Sequence, residues 1–475
     1  MLSAALWGTL CLCLANPAAL SLVAELEPIG LARVDITPEL PLRLNGYGNR
    51  KTEATEVAQK LWAKALVVGD DRSEKRSGPA VLLMVENCGV PSAITTEVAH
   101  RLSALGIERS RFTLASTHTH TGPCLSHVLP WIFGAPFQPE ERDRIDRATR
   151  KLTDQLVDVV RAALADRQPG RLAWTVGQVG FAVNRRVLRD GRWTGFGENL
   201  EGPVDHSLPV LRVSRPDGSL RGLVINYACH CTTLTGDDNI VSGDWAGAAQ
   251  EALESRHPGA TALITIGCGA DANPRPRGRR ELAQQHGDAV ATEVDRLLKQ
   301  GAWRPLTDPI VTRLRTLELP FQSLPTREQW VEKAKSAGAV GLQAQSMLQR
   351  LDRGETIPST LPYTLQTWSF GDQLHMVFLA GEVVVDYAIR LKSLLPPDRL
   401  WVTAYANDVP CYIPSRRILR EGGYEADSSL VYYDRPARLS PLIEDAIVNA
   451  VLEMLPKTSA MLPSSSIFVG FRDRR

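Results

Sequence analysis

The sequence has few cysteines and almost no net charge, and it lacks a long apolar run in its body. Its 54 lysines and arginines nearly balance 53 aspartates and glutamates, so global charge predicts no nucleic-acid partner. No segment after the first twenty residues reaches the ~20 apolar residues that span a bilayer. The eight cysteines include no C-x-x-C pair, which argues against a zinc knuckle or a thioredoxin-type site.

The first twenty residues predict an export signal. The stretch from Ala4 to Leu14 is mostly apolar, and residues 15–19 supply small side chains for cleavage, although no Lys or Arg precedes them. Export permits disulfides among the six cysteines that follow, but so few cysteines indicate a fold that does not depend on them. We therefore expect a signal peptide over 1–20 and a secreted or periplasmic protein.

The remaining chain has the composition of an ordinary globular protein, with 44% hydrophobic and 23% charged residues. Apolar runs alternate with amphipathic segments, which favours an α/β fold of central mixed β-sheets flanked by helices, in a single large domain. Strands are predicted at 61–69, 79–86, 112–115, 171–177, 208–215, 222–228, 261–266, 363–370, 374–380 and 401–406. Helices are predicted at 91–105, 139–166, 245–253, 279–299, 327–352, 382–395 and 440–455.

The stretch from Leu114 to Pro123 organises the candidate site. A β-leaning run leads to His118 and His120, and Gly-Pro then ends it. Residues two apart in a strand point to the same face, so both imidazoles are expected to aim at one place at the end of the strand. This pattern indicates a metal ligand beside either a second ligand or an acid/base group. The structural alternative is a pair of polar residues at a strand exit.

Two more predicted strands end in loops rich in metal-capable side chains. His230 follows the strand at 222–228, and Asp271 follows the strand at 261–266. Asp244 lies between them, at the start of a predicted helix. The repetition favours a metal hydrolase, with Zn²⁺ preferred for mixed nitrogen and oxygen ligands.

Other candidates lie outside the predicted strands. Glu382 is expected at a helix start, where a carboxylate is favoured by the helix dipole. Arg185 is placed in a loop between predicted strands. Tyr412 and Tyr424 belong to a tyrosine-rich loop over 407–433, in which aromatic residues are also common without a catalytic role. Physical reasoning alone selects no substrate.

With these residues in hand, the chain resembles the neutral/alkaline ceramidase family, specifically its N-terminal catalytic domain. The resemblance places that domain at 28–456 and leaves 457–475 as a loose tail. The motifs that carry it are Thr117-His118-Thr119-His120-Thr121-Gly122-Pro123, Asn184-Arg185, His230 with Ser242-Gly243-Asp244, Gly381-Glu382, and Asn407 to Tyr412 with Tyr424-Glu425.

The resemblance also implies roles for individual residues. The implied ligands of one Zn²⁺ are His118, His230, Glu382 and Tyr412. The residues implied to act on the substrate are His120, Tyr424 and Arg185. An H-x-H pair can also supply two ligands, so a ligand role for His120 stays open. We expect Asp244 and Asp271 to support the ligands.

The implied function is that of a secreted zinc-dependent amidohydrolase, which cleaves an N-acyl bond of a lipid-like substrate such as ceramide with a zinc-activated water. The expected partner is a small-molecule or lipid amide, and peripheral contact with a membrane surface is left open, as is the oligomeric state. Two alternatives remain: a metal-dependent hydrolase of another amide or ester, and a non-catalytic ceramidase-like binding protein. Asp244 and Asp271 as ligands of a second metal would favour ester or phosphoester hydrolysis.

Overall fold

The strands and helices follow the predicted alternation closely. The computed structural model describes residues 26–70 and 78–456, so the predicted signal peptide and tail lie outside the described residues. The strands are β1 Glu27–Asp35, β2 Trp62–Val68, β3 Ala80–Val85, β4 Phe112–Ser116, β5 Gln168–Gln178, β6 Ala182–Arg189, β7 Arg192–Asn199, β8 Ser207–Ser214, β9 Leu220–Tyr227, β10 Thr261–Ile266, β11 Ala272–Pro274, β12 Arg304–Leu306, β13 Ile310–Pro320, β14 Thr360–Phe370, β15 Leu374–Leu379, β16 Glu382–Val383, β17 Leu400–Thr403 and β18 Tyr412–Ile413. The helices are α1 Ser92–Ser103, α2 Pro139–Ala165, α3 Asp244–Arg256, α4 Arg280–Gln300, α5 Arg327–Lys333, α6 Gly338–Asp352, α7 Val385–Leu394, α8 Arg416–Glu421 and α9 Ile443–Met454.

Two mixed sheets form the centre of the molecule, as expected. The first has the order β10-β9-β8-β5-β1-β2-β3-β4, with β12 paired to β5, and the second has the order β13-β14-β15-β17. Three pairs in these sheets are parallel, namely β3–β4, β9–β10 and β15–β17. A helix lies between the two strands of each parallel pair, because the connection between parallel strands must carry the chain back to the end of the sheet at which the first strand began. Smaller sheets are β11-β6-β7 and β16-β18.

The two large sheets pack face to face, and helices cover their outer faces. In β3, Leu82 belongs to the same buried cluster as Trp368 of the second sheet, whereas the next residue, Leu83, clusters with Val98 of α1. This alternation is the two-residue period of a strand that is buried on both faces. The layer order is therefore helix, sheet, sheet, helix, which confirms the predicted fold class.

Local predictions were wrong at three places. The helix predicted over 327–352 is two helices, and Gly338 begins the second with a positive φ of 69°. Glu382 lies in the short strand β16 rather than at a helix start, and α7 begins only at Val385. Arg185 lies on β6, which pairs with β7, rather than in a loop.

The state of the cysteines and the character of the helices are two further features of the described chain. Cys88, Cys124, Cys229, Cys231, Cys268 and Cys411, which all lie in the described part of the chain, are buried free thiols. No helix in 26–70 or 78–456 has the length and apolar character needed to cross a membrane.

Glu86 is a buried carboxyl group just beyond β3. It accepts hydrogen bonds from the Trp62 backbone N–H at 2.7 Å and from Gln250 Nε2 at 2.6 Å. Burial raises the pKa of Glu86 from its ordinary value of 4.5 to about 7, although the Lys64 ammonium opposes this rise. The folded protein therefore binds this proton more tightly than the unfolded chain does.

We predict that Glu86 makes the free energy of unfolding fall as the pH rises from about 4.5 to about 7. In that window the folded state holds the proton that the unfolded state has lost, so each rise in pH favours unfolding, by about 3 kcal/mol in total. Glu86→Gln should remove this part of the pH dependence. Urea unfolding across the window measures it, and identical pH profiles for the variant and the wild type would contradict the prediction.

Candidate metal centre

Backbone hydrogen bonds bring three strand-end loops together. The loop after β4 pairs with the loop after β9 through a parallel bridge between Thr119 and Cys231. The loop after β9 joins the loop after β10, because the His230 N–H donates to the Ala272 carbonyl at 3.1 Å. The three strand-end loops that the sequence showed to be rich in metal-capable side chains are therefore linked at their backbones.

Two segments that follow strands of the second sheet, β16 after β15 and β18 after β17, also reach the site. The strands β16 and β18 are parallel, and their register places Glu382 opposite Tyr412. Val383, the neighbour of Glu382, accepts a hydrogen bond from the Ala270 N–H at 3.2 Å, which ties this pair to the loop after β10. Two implied ligands that lie thirty residues apart in the sequence are thus adjacent in one small sheet.

His118 and His120 converge, although the two-residue side-chain period of a strand is not the reason. β4 ends at Ser116, and His118 has a left-handed backbone with φ of 57°. The pair therefore lies in a loop beyond the strand, and the expected strand period does not set its direction. The two Nε2 atoms lie 3.0 Å apart.

Three buried side chains meet at the centre of the site. Glu382 Oε2 lies 3.0 Å from His118 Nε2 and 3.2 Å from His230 Nε2. The opposite nitrogens are occupied, because His118 Nδ1 lies 2.5 Å from the Cys88 carbonyl oxygen and His230 Nδ1 lies 2.9 Å from that of Gly269. With Nδ1–H as the donor in each ring, both Nε2 lone pairs point toward the carboxylate.

This donor set fits a metal ion such as zinc. Oε2 of Glu382 is buried, and no residue within 26–70 or 78–456 makes a hydrogen bond of acceptable geometry to it, despite the two nearby nitrogens. Atoms that bind a tetrahedral zinc at about 2.0–2.2 Å lie about 3.3–3.6 Å from one another, close to the separations found here. The Tyr412 hydroxyl, 3.5 Å from His230 Nε2, is placed to be a fourth donor. His118, His230 and Glu382 form a group that could hold a metal ion.

The electrostatics of the group favour one positive charge beside the carboxylate. Burial alone would raise the pKa of Glu382, but the neighbouring His118 holds it well below its ordinary value. Burial likewise opposes charge on His118, yet the Glu382 carboxylate raises the pKa of that imidazole to about 10. Burial and the positive charge of Arg185 lower the pKa of His230 to about 3.

His120 lies on the outer side of this group. Burial, together with charge on His118, holds the pKa of His120 well below its ordinary value, so its ring is neutral. Tyr47 contacts the ring edge-on, with centroids 4.8 Å apart. Gly46 also lies against it, since a Cβ on Gly46 would come within 2.5 Å of His120 Cγ. These two contacts hold the His120 ring in place beside the three central side chains.

Arg185 and Tyr424 complete the implied set. The Arg185 guanidinium donates to Glu425 Oε1 at 2.9 Å and to the Tyr412 hydroxyl at 3.1 Å, and it lies 3.2 Å from His230 Nε2. The Tyr424 ring packs edge-on against Tyr412, with centroids 5.4 Å apart. All seven residues that the resemblance implied are therefore gathered in one place.

A ring of charged groups holds Arg185. Glu425 is fully buried and pairs with both Arg185 and Arg186. Arg186 also pairs with Glu421, which in turn pairs with Arg417. Arg417 lies 3.5 Å from the Asp271 carboxylate. The ring closes through the backbone, where the Arg185 amide N–H donates to the Asp271 carbonyl at 2.8 Å. The members in order are Arg185, Glu425, Arg186, Glu421, Arg417 and Asp271.

Asp244 and Asp271 support loops rather than the ligand side chains. Asp244 accepts backbone N–H groups from Thr233 and Leu234, at 3.2 and 2.9 Å. Asp271 accepts the Val385 N–H at 2.9 Å. Among the described residues, neither aspartate belongs to a group that could hold a metal ion, so the structure does not support Asp244 and Asp271 as ligands of a second metal.

Sequence reasoning assigned no role to Glu425, to Tyr433 or to the Cys88 carbonyl. Tyr433 donates a hydrogen bond to Glu382 Oε1. The tyrosine-rich loop drew attention to this region, but no regular spacing distinguishes Tyr433 from its neighbours.

The chain belongs to the neutral/alkaline non-lysosomal ceramidase family, because the model of that family's N-terminal part matches residues 28–285. It is 27% identical over 242 residues to the neutral ceramidase of Pseudomonas aeruginosa, which covers 49% of this chain and 34% of that protein. It is 25% identical over 236 residues to the neutral ceramidase of Mycobacterium tuberculosis, which covers 46% of this chain and 34% of that protein. These matches span about a third of the length of either relative.

The fold agrees with solved structures. A crystal structure of neutral ceramidase from Pseudomonas aeruginosa superposes with a TM-score of 0.67 at 20% identity, over 90% of this chain and 74% of that one. A structure described as ceramidase complexed with C2 superposes with a TM-score of 0.68 at 19% identity, over 94% of this chain and 78% of that one.

We predict that Glu425→Gln lowers the free energy of unfolding by about 3–5 kcal/mol, because it leaves a buried arginine charge without its partner. Urea unfolding measures the change. The matched control is Glu332→Gln, which removes one partner of an exposed pair with Lys335 and should have no measurable effect. Equal effects of the two substitutions would contradict the prediction.

Proposed function

We propose that this protein is a zinc-dependent amidohydrolase that cleaves the N-acyl bond of a lipid-like substrate such as ceramide, with residues 28–456 as its catalytic unit. The observation that carries the proposal is the convergence of His118 Nε2 and His230 Nε2 on Glu382 Oε2. Membership of the ceramidase family supports the amide bond as the target. Because the chain matches only a third of its curated relatives, the activity is our proposal.

The residues that would hold the ion are His118, His230, Glu382 and Tyr412. Zinc bound there would supply Lewis-acid activation of a water molecule and of the substrate carbonyl. The hydrogen bonds on Nδ1 of both histidines keep each Nε2 available as a ligand atom. The family relationship and the mixed nitrogen and oxygen donors both support zinc over other ions.

His120 is the proposed proton carrier. Its Nε2 lies 3.0 Å from His118 Nε2, so a proton acceptor sits directly beside the ligand group. In the proposed reaction the neutral imidazole takes a proton from the attacking water as the new C–O bond forms. The same nitrogen then gives this proton to the departing amine as the C–N bond breaks, and the products are a carboxylic acid and an amine.

Tyr424 and Arg185 are proposed to hold the substrate. The Tyr424 hydroxyl would donate to the carbonyl oxygen as negative charge develops on it. Arg185 has five N–H groups, of which one donates to Glu425 and one to Tyr412, so others remain for a polar group of the substrate when His230 Nε2 serves as a ligand atom.

An exposed aromatic ring, Phe196, beside Tyr424 and Arg185 supports a lipid-like substrate. Phe196 is 52% exposed, and its ring lies edge-on to Tyr424 with centroids 5.0 Å apart. The Arg185 guanidinium lies 4.9 Å from the centre of the same ring. An apolar chain that packs against this ring would bury apolar surface that the free protein exposes to water.

Export remains part of the proposal and rests on residues 1–20 alone. The sequence there combines an apolar run with small residues at a cleavage position. N-terminal sequencing of protein recovered from outside the cytoplasm would test it, and recovery of the intact N-terminus only inside the cell would count against it.

We predict that His118→Ala loses both bound zinc and hydrolysis, whereas His120→Ala keeps the zinc and loses about 10²- to 10⁴-fold of the rate. The first substitution removes a ligand, and the second removes only the proton carrier. Metal analysis and hydrolysis of ceramide measure the two effects. The control is His100→Ala, at an exposed position on α1, which should change neither.

The same variants separate the alternatives. Full zinc content in both His118→Ala and His230→Ala would disprove the ligand assignment. A wild-type protein that binds zinc and cleaves other amides or esters, but not ceramide, would replace the substrate and keep the chemistry. Tight binding of an N-acyl lipid with no hydrolysis in any member of the panel would instead indicate a binding protein.

A further inference from the structure

The Glu382 carboxylate has two oxygens in different surroundings. Oε2 faces the two imidazole nitrogens at 3.0 and 3.2 Å. Oε1 accepts a hydrogen bond from the Tyr433 hydroxyl. Among the residues described here, Tyr433 is the only hydrogen-bond donor found for Oε1. The hydrogen bond from the Tyr433 phenol therefore distinguishes Oε1 from Oε2.

Tyr433 is itself held firmly. Its ring is 7% exposed and packs edge-on against Tyr412, with centroids 6.2 Å apart. The next residue, Asp434, accepts a hydrogen bond from Trp131 Nε1 at 3.0 Å. Arg435 donates to the Pro410 carbonyl at 3.0 Å, which ties this segment to the start of β18. The phenol therefore keeps a fixed position relative to the Tyr412 strand.

Such a contact removes a freedom that would weaken metal binding. The terminal torsion of a glutamate is broad, so a carboxylate fixed only through its backbone can present either oxygen or neither. A donor on Oε1 selects the orientation in which Oε2 faces both histidines. Hydrogen bonds on the far side of a ligand typically govern about 10- to 100-fold in metal affinity.

We propose that Tyr433 is a positioning residue for the metal ligand Glu382. Its hydroxyl holds Oε1 and so directs Oε2 toward His118 and His230. Two tyrosines then have different tasks, since Tyr412 on β18 is placed as a donor to the ion and Tyr433, beyond α8, binds the carboxylate. This inference rests on the proposed function, because it takes Glu382 to be a ligand.

The test is zinc affinity in Tyr433→Phe, measured on metal-free protein by competition with a chromophoric chelator. We expect the dissociation constant for zinc to rise about 10- to 100-fold. The matched control is Tyr405→Phe. Tyr405 stacks on His118 with centroids 4.3 Å apart, but its buried hydroxyl has no hydrogen-bond partner in the described part of the chain. Removing that hydroxyl should leave the zinc affinity unchanged.

An unchanged dissociation constant in Tyr433→Phe, in a protein whose His118→Ala variant loses zinc, would overturn this inference and leave the proposed function intact. Equal weakening in both tyrosine variants would also overturn it, because the effect would then be a general disturbance of the site. A wild-type chain that binds no zinc would disprove the proposed function instead. Far-ultraviolet circular dichroism of both metal-free variants checks that each is folded.

Discussion

The site depends on one buried carboxylate oxygen that lies between two imidazoles. Transfer of a carboxylate from water into a protein interior is unfavourable unless charge or hydrogen bonds compensate it. Glu382 is 3% exposed, and none of the described residues makes a hydrogen bond of acceptable geometry to its Oε2. Burial raises the pKa of this carboxylate, but the neighbouring His118 holds it well below its ordinary value. The other contacts of the site hold Glu382, His118 and His230 in place, although removing their polar atoms from water is unfavourable.

That task is shared between the two large sheets. The first sheet delivers both histidines from the ends of β4 and β9, and the second delivers Glu382 just beyond β15. Loops alone would place these side chains loosely, but here the backbone bridge from Thr119 to Cys231 and the register of Glu382 with Tyr412 join the loops into one framework. Because the two sheets are packed face to face, the core fixes the distances between the side chains of His118, His230 and Glu382 more firmly than loops alone would.

Sequence patterns predicted the parts of this arrangement that depend on local structure. Hydrophobic periodicity placed β2, β3, α1 and α2 within a few residues, and the two histidines after β4 were found from their spacing alone. The resemblance to the ceramidases was needed to select Tyr412 and Arg185. The strand β16 could not be predicted, because its two residues are ordered only by a partner thirty positions away. The roles of Glu425 and Tyr433 were missed for the same reason, since each is defined by a distant side chain.

Exposure increases from the centre of the site outward. His230 and His118 are 0% and 1% exposed, His120 is 9% exposed, and Phe196 is 52% exposed. His120 is therefore the least deeply buried of the three histidines, and Phe196 is the side chain of these four that is open to solvent. The low exposure of His120 keeps bulk water away from its ring, and this strengthens every charge interaction around it. The one-residue gap between His118 and His120 thus sets the proposed acid/base group directly beside the proposed ligands.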